Sequence, residues 1–127
     1  MLRRAAITIL IIAAVTSLAS CGARKDEKTD YDRNVVRARE TVLRDNLYQL
    51  RKTIDLYAAD RAALPQSLDD LVKAGYLREI PEDPMTGKMD WKIVLGDDPN
   101  AAGRKGITNV RSASTAKSSE GTPYSDW

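Results

Sequence analysis

The chain has 127 residues, with 20 lysines and arginines against 18 aspartates and glutamates, a formal net charge of +2. It has no histidine and one cysteine, which excludes a Ser-His-Asp triad, a Cys-His dyad, a histidine-ligated zinc site and an internal disulfide. The length suits one domain, and the charged (30%) and hydrophobic (43%) fractions predict a globular chain.

The first residues have the pattern of an export signal. Two arginines precede a mostly apolar stretch that ends in small residues and is shorter than the ~20 residues that a membrane-spanning helix needs. Its end, Leu18-Ala19-Ser20-Cys21, resembles the lipobox of bacterial lipoproteins, in which the cysteine carries a diacylglyceryl group. We expect a lipoprotein signal at residues 1–20 and lipid attachment at Cys21. A signal cleaved by ordinary signal peptidase and an uncleaved anchor are the alternatives.

The net charge belongs to this signal. Removing residues 1–20 takes away Arg3 and Arg4 and leaves 18 basic and 18 acidic residues. The basic isoelectric point therefore does not indicate a nucleic-acid partner.

A charged tether and a long helix are predicted next. Residues 21–34 are mostly charged and lack apolar periodicity. From about residue 35 to 64 there is neither glycine nor proline, and apolar residues recur at helical spacing, which predicts an amphipathic helix. Such a helix has more apolar surface than a small domain covers. We expect the half from Leu50 to Leu64 to pack inside the domain and the first half, with Val36, Leu43 and Leu47, to contact a partner; an entirely intramolecular core is the alternative.

The remaining elements are short. Ser67, two acidic residues and Gly75 predict a helix over about 67–74. Asp83-Pro84-Met85-Thr86-Gly87 predicts a turn. Strands are predicted over about 90–95, with Trp91, Ile93 and Leu95 on one face, and over about 106–112. The fold class is therefore α+β, with a long helix packed on a short helix and a small antiparallel sheet.

Residues 35–127 resemble the type IV pilin-like pseudopilins, and in particular the major pseudopilin (protein G) group of type II secretion. The resemblance is carried by Leu50–Tyr57 with Asp60, by Leu64-Pro65, by the segments 67–71, 75–77 and 80–84, by 106–112 and by the ending 120–127. It implies a pilin-like fold and a non-enzymatic structural subunit that stacks with other pseudopilins or secretion-apparatus components. The start departs from that family, because the chain has no phenylalanine and its first glutamate is Glu27. We therefore expect a pilin-like domain on a lipid anchor, facing the periplasm of a bacterial cell envelope.

The resemblance also implies a calcium ion in the C-terminal loop. The matching positions are Glu120, Ser125 and Asp126. Calcium takes 6–8 oxygen ligands, so two carboxylates are a sparse set, and a polar surface loop without metal is the favoured alternative.

Two other functional classes remain open. A monomeric lipid-anchored adaptor would keep the pilin-like head but bind a partner outside any secretion apparatus. An enzyme is disfavoured, because without histidine the suggestive neighbours are Lys117-Ser118, in a predicted loop, and Asp69-Asp70, which fit the first turn of a helix.

Overall fold

The computed structural model describes residues 23–127, with side chains from residue 27 onward. The chain divides into two units after Asn34, and the packing described below is that of Val35–Trp127. Its elements in chain order are helix α1 (Ala23–Arg61), helix α2 (Leu68–Lys73), strand β1 (Lys92–Asp97), strand β2 (Lys105–Arg111) and a 3-10 turn (Tyr124–Asp126). This is the predicted α+β arrangement of a long helix, a short helix and a small antiparallel sheet.

Helix α1 differs from its predicted bounds at both ends. It begins at Ala23, so residues 23–34 of the predicted tether are helical. It ends at Arg61, because Ala62 has a φ of 50° in the left-handed region that terminates helices. The next residues leave the helix axis, and the Leu64 N–H donates to the Asp98 Oδ2 atom at 3.2 Å. Within residues 23–127, neither helix has the length and apolar character needed to cross a membrane.

The local signals for α2 and the turn after it are confirmed. Ser67 Oγ accepts the N–H of Asp70, while Asp70 Oδ2 accepts the N–H of Ser67, which forms a capping box. In the predicted turn, Asp83 Oδ1 accepts the Met85 N–H at 2.8 Å, and Gly87 has a φ of 69°. The other Asp83 oxygen accepts the Ser112 hydroxyl at 2.6 Å, which joins this turn to the end of β2.

The sheet consists of β1 and β2, paired antiparallel with a register shift. Val94 pairs with Asn109 and Leu95 with Ile107, so Thr108 is the extra residue of a bulge. Ile107 on β2 is buried, whereas Ile93 and Leu95 on β1 are 38% and 60% exposed. Of the predicted apolar face, Trp91, which directly precedes β1, is therefore buried, whereas the two β1 residues are not.

One apolar core joins α1 to the rest of the domain. Ile107 donates its N–H to the Pro65 carbonyl at 2.8 Å, which anchors the sheet beside the end of α1. Buried side chains from both helices, the segment between α2 and β1, strand β2 and the C-terminal segment form the core, namely Leu43, Leu47, Leu50, Ile54, Leu71, Leu77, Trp91, Ile107, Val110 and Tyr124.

Candidate functional site

The carboxylate of Glu40 holds the C-terminal segment, residues 112–127, against α1. Ser119 donates its backbone N–H to Oε1 and its hydroxyl to Oε2, each at 2.6 Å. The Tyr124 hydroxyl donates to Oε1 at 2.8 Å. Both Glu40 and Tyr124 are only 3% exposed. Three donors therefore solvate a carboxylate that would be costly to bury without partners.

The electrostatics fix which of these groups carries the charge. Burial would raise the pKa of Glu40, but the hydrogen bonds from Ser119 and Tyr124 outweigh it and hold the pKa below its usual 4.5. Burial, the hydrogen bond to Glu40 and the charge of Glu40 raise the pKa of Tyr124 to about 12. At neutral pH, Glu40 is therefore an anion, and Tyr124 keeps its proton and donates a hydrogen bond to it.

A tight turn presents Ser119 to α1. Ser118 donates its N–H to the Thr122 carbonyl at 2.8 Å, and Gly121 donates to the Ser118 carbonyl at 3.0 Å. Gly121 has a φ of 87°, a conformation that favours glycine. Residues 118–122 thus form a turn. Its second residue, Ser119, contacts Glu40.

The residues predicted to hold calcium lie in and after this turn. Glu120 is exposed and lies 3.7 Å from the Arg44 guanidinium, while Ser125 and Asp126 belong to the 3-10 turn. Residues 27–127 contain no cluster of three or more acidic or cysteine side chains placed to bind a metal. The nearby groups of Ser119 and Tyr124 donate hydrogen bonds to the Glu40 carboxylate, and hydrogen-bond donors favour an anion rather than a cation. The calcium site stays a prediction.

The predicted partner-binding face of α1 needs correction. Leu43 and Leu47 are 0% and 2% exposed and belong to the core of the domain, so they are not available to a partner. The domain covers α1 further towards its N-terminus than the sequence suggested, because the C-terminal segment packs beside Glu40. Val36 is 38% exposed, so its predicted contact with a partner stays a prediction.

Sequence reasoning missed the role of Glu40. From the sequence, its i,i+4 spacing to Arg44 indicates only a favourable charge pair along the helix. The signal was nevertheless present, since Glu40 fills the gap between Val36 and Leu43 and so lies on the apolar stripe of the helix. An acidic residue in such a stripe requires donors from elsewhere in the fold.

Arg51 was also missed. Its position away from the apolar stripe predicts a side chain in solvent, but its Nε donates to Asn109 Oδ1 at 2.8 Å and its Nη2 to the Val110 carbonyl at 3.0 Å. Nothing in the sequence around Arg51 indicates these contacts, because both acceptors lie on β2, far along the chain. The side chain links the middle of α1 to the outer edge of β2.

Comparison with known proteins adds no relative. No protein-family model matches the chain, and neither the curated proteins nor the solved structures contain a match. The predicted signal at residues 1–20 and the lipid attachment at Cys21 lie outside the described residues.

Proposed function

We propose that this chain is a non-enzymatic structural subunit or accessory of a type II secretion apparatus, with a pilin-like domain that takes part in a pseudopilus-like assembly. The resemblance of residues 35–127 to pseudopilins is the sequence support. The structural observation that carries the proposal is the exposure of α1 ahead of the core. From Glu27 to Arg39 every side chain is exposed except that of Val35, which is half-buried.

A helical segment of this kind needs a reason to be stable. Isolated helices shorter than about 12–15 residues are marginal in water, and most helices owe their stability to packing. In an assembly, the segment ahead of Glu40 would pack against helices of neighbouring subunits. Tyr31 and Val36, which are 69% and 38% exposed, are the large apolar side chains that such packing would cover.

The membrane attachment is proposed to be a lipid on Cys21. Two or more acyl chains give stable anchoring, at about 0.8 kcal/mol per buried CH₂ group. The domain would then face the periplasm from a membrane of the bacterial envelope, with no nucleic-acid partner. The intact mass of the membrane-extracted protein tests this: we expect a lipidated chain that begins at Cys21. An unmodified mass, or a Cys21→Ser protein that is still processed and membrane-bound, would contradict it.

Site-directed crosslinking tests the assembly. Because the lipid would occupy the only native cysteine, a Val36→Cys protein carries a single free thiol on α1. We expect it to crosslink, in cells of the source bacterium, to copies of itself or to other pilin-like or secretion-platform proteins. Met89→Cys, at a side chain that is 62% exposed, is the matched control and should not crosslink to these proteins.

The alternative is a monomeric lipid-anchored adaptor that has kept the pilin-like head. It predicts a single copy in solution and a crosslinked partner from outside any secretion apparatus. Recovery of such a partner from Val36→Cys, or of nothing, would favour the adaptor over the structural subunit.

A further inference from the structure

A cleft of about 330 Å³ lies between the middle of α1 and the C-terminal residue Trp127. Its lining combines two cations with two aromatic rings and one aliphatic side chain: Arg44, Leu47, Tyr48, Arg51 and Trp127. Tyr48 is 68% exposed, so one aromatic wall is open to solvent. This cleft adjoins the buried contact between Glu40 and Tyr124, because the Trp127 ring packs edge-on against the Tyr124 ring, with centroids 5.2 Å apart.

Arg51 is a cation without an anionic partner at this cleft. Its two hydrogen bonds go to neutral acceptors, the Asn109 side chain and the Val110 carbonyl. No carboxylate of residues 27–127 lies within ion-pair distance of Arg51 or of Arg111. Burial and the neighbouring charge of Arg111 lower the pKa of Arg51, which indicates a cation in a poorly solvated and positive environment. An anion in the cleft would relieve this repulsion.

Arg44 is the second cation, and the fold positions it. Its guanidinium lies 4.3 Å from the centroid of the Trp127 ring, a cation–π contact. Its ion pair with Glu120 is long, at 3.7 Å, and both side chains are more than half exposed. Such exposed pairs contribute little to stability, so a better-placed carboxylate can replace Glu120.

The spacing of the two cations selects the ligand. Arg44 and Arg51 are seven positions apart, so their Cα atoms are roughly 10 Å apart along the helix. One carboxylate does not span that distance, whereas alternate residues of an extended peptide place two carboxylates roughly 7 Å apart, within reach of two long side chains. We propose that the cleft binds an extended acidic peptide segment, whose carboxylates pair with Arg44 and Arg51 while its methylene groups lie against the aromatic rings.

Calorimetric titration of the full-length protein tests this with defined probes. The probe is the pentapeptide Gly-Glu-Ser-Glu-Gly, and its neutral match is Gly-Gln-Ser-Gln-Gly. We expect the acidic peptide to bind at least about tenfold more tightly, because charge-assisted pairs with arginine are stronger than neutral hydrogen bonds. Equal binding of the two peptides, or no binding of either, would overturn the proposal.

Matched variants locate the binding. Arg44→Gln and Tyr48→Ala change exposed side chains, and we expect each to weaken binding of the acidic peptide several-fold while the protein remains folded. Arg51→Gln should weaken it about tenfold if the variant remains folded. Arg37→Gln removes the same charge from an exposed position of α1 outside the cleft. An equal effect of Arg37→Gln and Arg44→Gln would mean general charge attraction and would refute a site in the cleft.

Two small probes distinguish the source of the anion. Glutarate carries two carboxylates without a peptide backbone, and inorganic phosphate carries the charge without a carboxylate. We expect both to bind more weakly than the pentapeptide. Tighter binding of either would overturn the assignment to an acidic peptide. The inference does not depend on the proposed assembly, since it concerns a different surface of the domain and a different readout.

Discussion

Two buried carboxylates, Glu40 and Asp98, hold irregular segments of this domain in different ways. Glu40 lies in the middle of a helix and accepts hydrogen bonds from residues 79 and 84 positions away. Asp98 lies in a loop and accepts most of its hydrogen bonds from that same loop, including the Asn100 N–H at 3.0 Å and the Arg104 guanidinium at 2.6 Å. One of its bonds, from Leu64, crosses to the end of α1.

The two buried acids therefore have different structural roles, one local and one between distant segments. Asp98 stabilises a local loop conformation, and its counter-ion Arg104 is half exposed. Glu40 has only neutral hydrogen-bond donors, from Ser119 and Tyr124, and these donors form the contact between the C-terminal segment and α1. Losing Asp98 should therefore disturb one loop, whereas losing Glu40 should release a whole segment.

Glu40→Ala should have the largest effect on stability. It leaves the buried Tyr124 hydroxyl without its acceptor, at about 1–3 kcal/mol, and removes the two hydrogen bonds from the exposed Ser119, at about 0.5–1.5 kcal/mol each, so we expect a destabilisation of about 3 kcal/mol. Urea denaturation measures it, with Glu79→Ala, at an exposed glutamate, as the control. Equal stability of the two variants would show that Glu40 does not hold the segment.

Asp98→Ala should have a smaller effect. Arg104 is partly exposed and regains water when its partner is removed, so chiefly the N–H groups of Leu64 and Asn100 lose an acceptor. Thermal denaturation of this variant beside Glu40→Ala ranks the two. A larger drop in melting temperature for Asp98→Ala would reverse the comparison.

Lowering the pH should weaken the contact between Glu40 and the C-terminal segment. The folded pKa of Glu40 is below its ordinary 4.5, so its contribution is present above that value and is lost as the pH falls through the folded pKa. We expect the stability of the native chain to fall on acidification below about pH 4.5, and that of Glu40→Gln to fall less steeply. Identical pH profiles of stability for the two proteins would mean that Glu40 titrates normally.

Tyr124→Phe should cost about 1 kcal/mol, because it removes one of three donors and keeps the buried ring. The raised pKa of Tyr124, about 12, means that its neutral form is favoured in the fold. Its contribution is therefore present below pH 10 and is lost as the pH rises towards 12. The hydrogen bond to Asp60 raises the pKa of Tyr76 as well, so the readout is the difference in phenolate absorbance between the native chain and Tyr124→Phe. That difference should develop as the pH approaches 12, and a difference that develops near pH 10 would contradict the buried hydrogen bond.

Glu120→Gln should have the smallest effect, under about 0.5 kcal/mol, because its pair with Arg44 is long and exposed. Added calcium should leave the melting temperature of the native chain unchanged, since Glu40 already closes the C-terminal segment. A calcium-dependent rise in the melting temperature that disappears in Glu120→Gln and in Asp126→Asn would establish the metal site and refute this expectation.

The parts of the fold that the sequence predicted are those with local causes. The capping box at Ser67 and Asp70 and the turn at Asp83–Gly87 each depend on residues within four positions of one another. The apolar periodicity of α1 likewise predicted a helix with Leu50 and Ile54 in the core. For these elements, the conformational preferences of neighbouring residues are sufficient.

The tertiary structure decided the rest, because the partners are distant in sequence. The fit of the C-terminal segment buried Leu43 and Leu47, which periodicity alone assigned to a partner. Leu95 is 60% exposed although its alternation predicted one shared face with Trp91, which is buried. Glu40 shows both the local and the tertiary contribution. Its place on the apolar stripe was readable from the sequence, but the donors that make an acid acceptable there, Ser119 and Tyr124, are brought to it only by the fold.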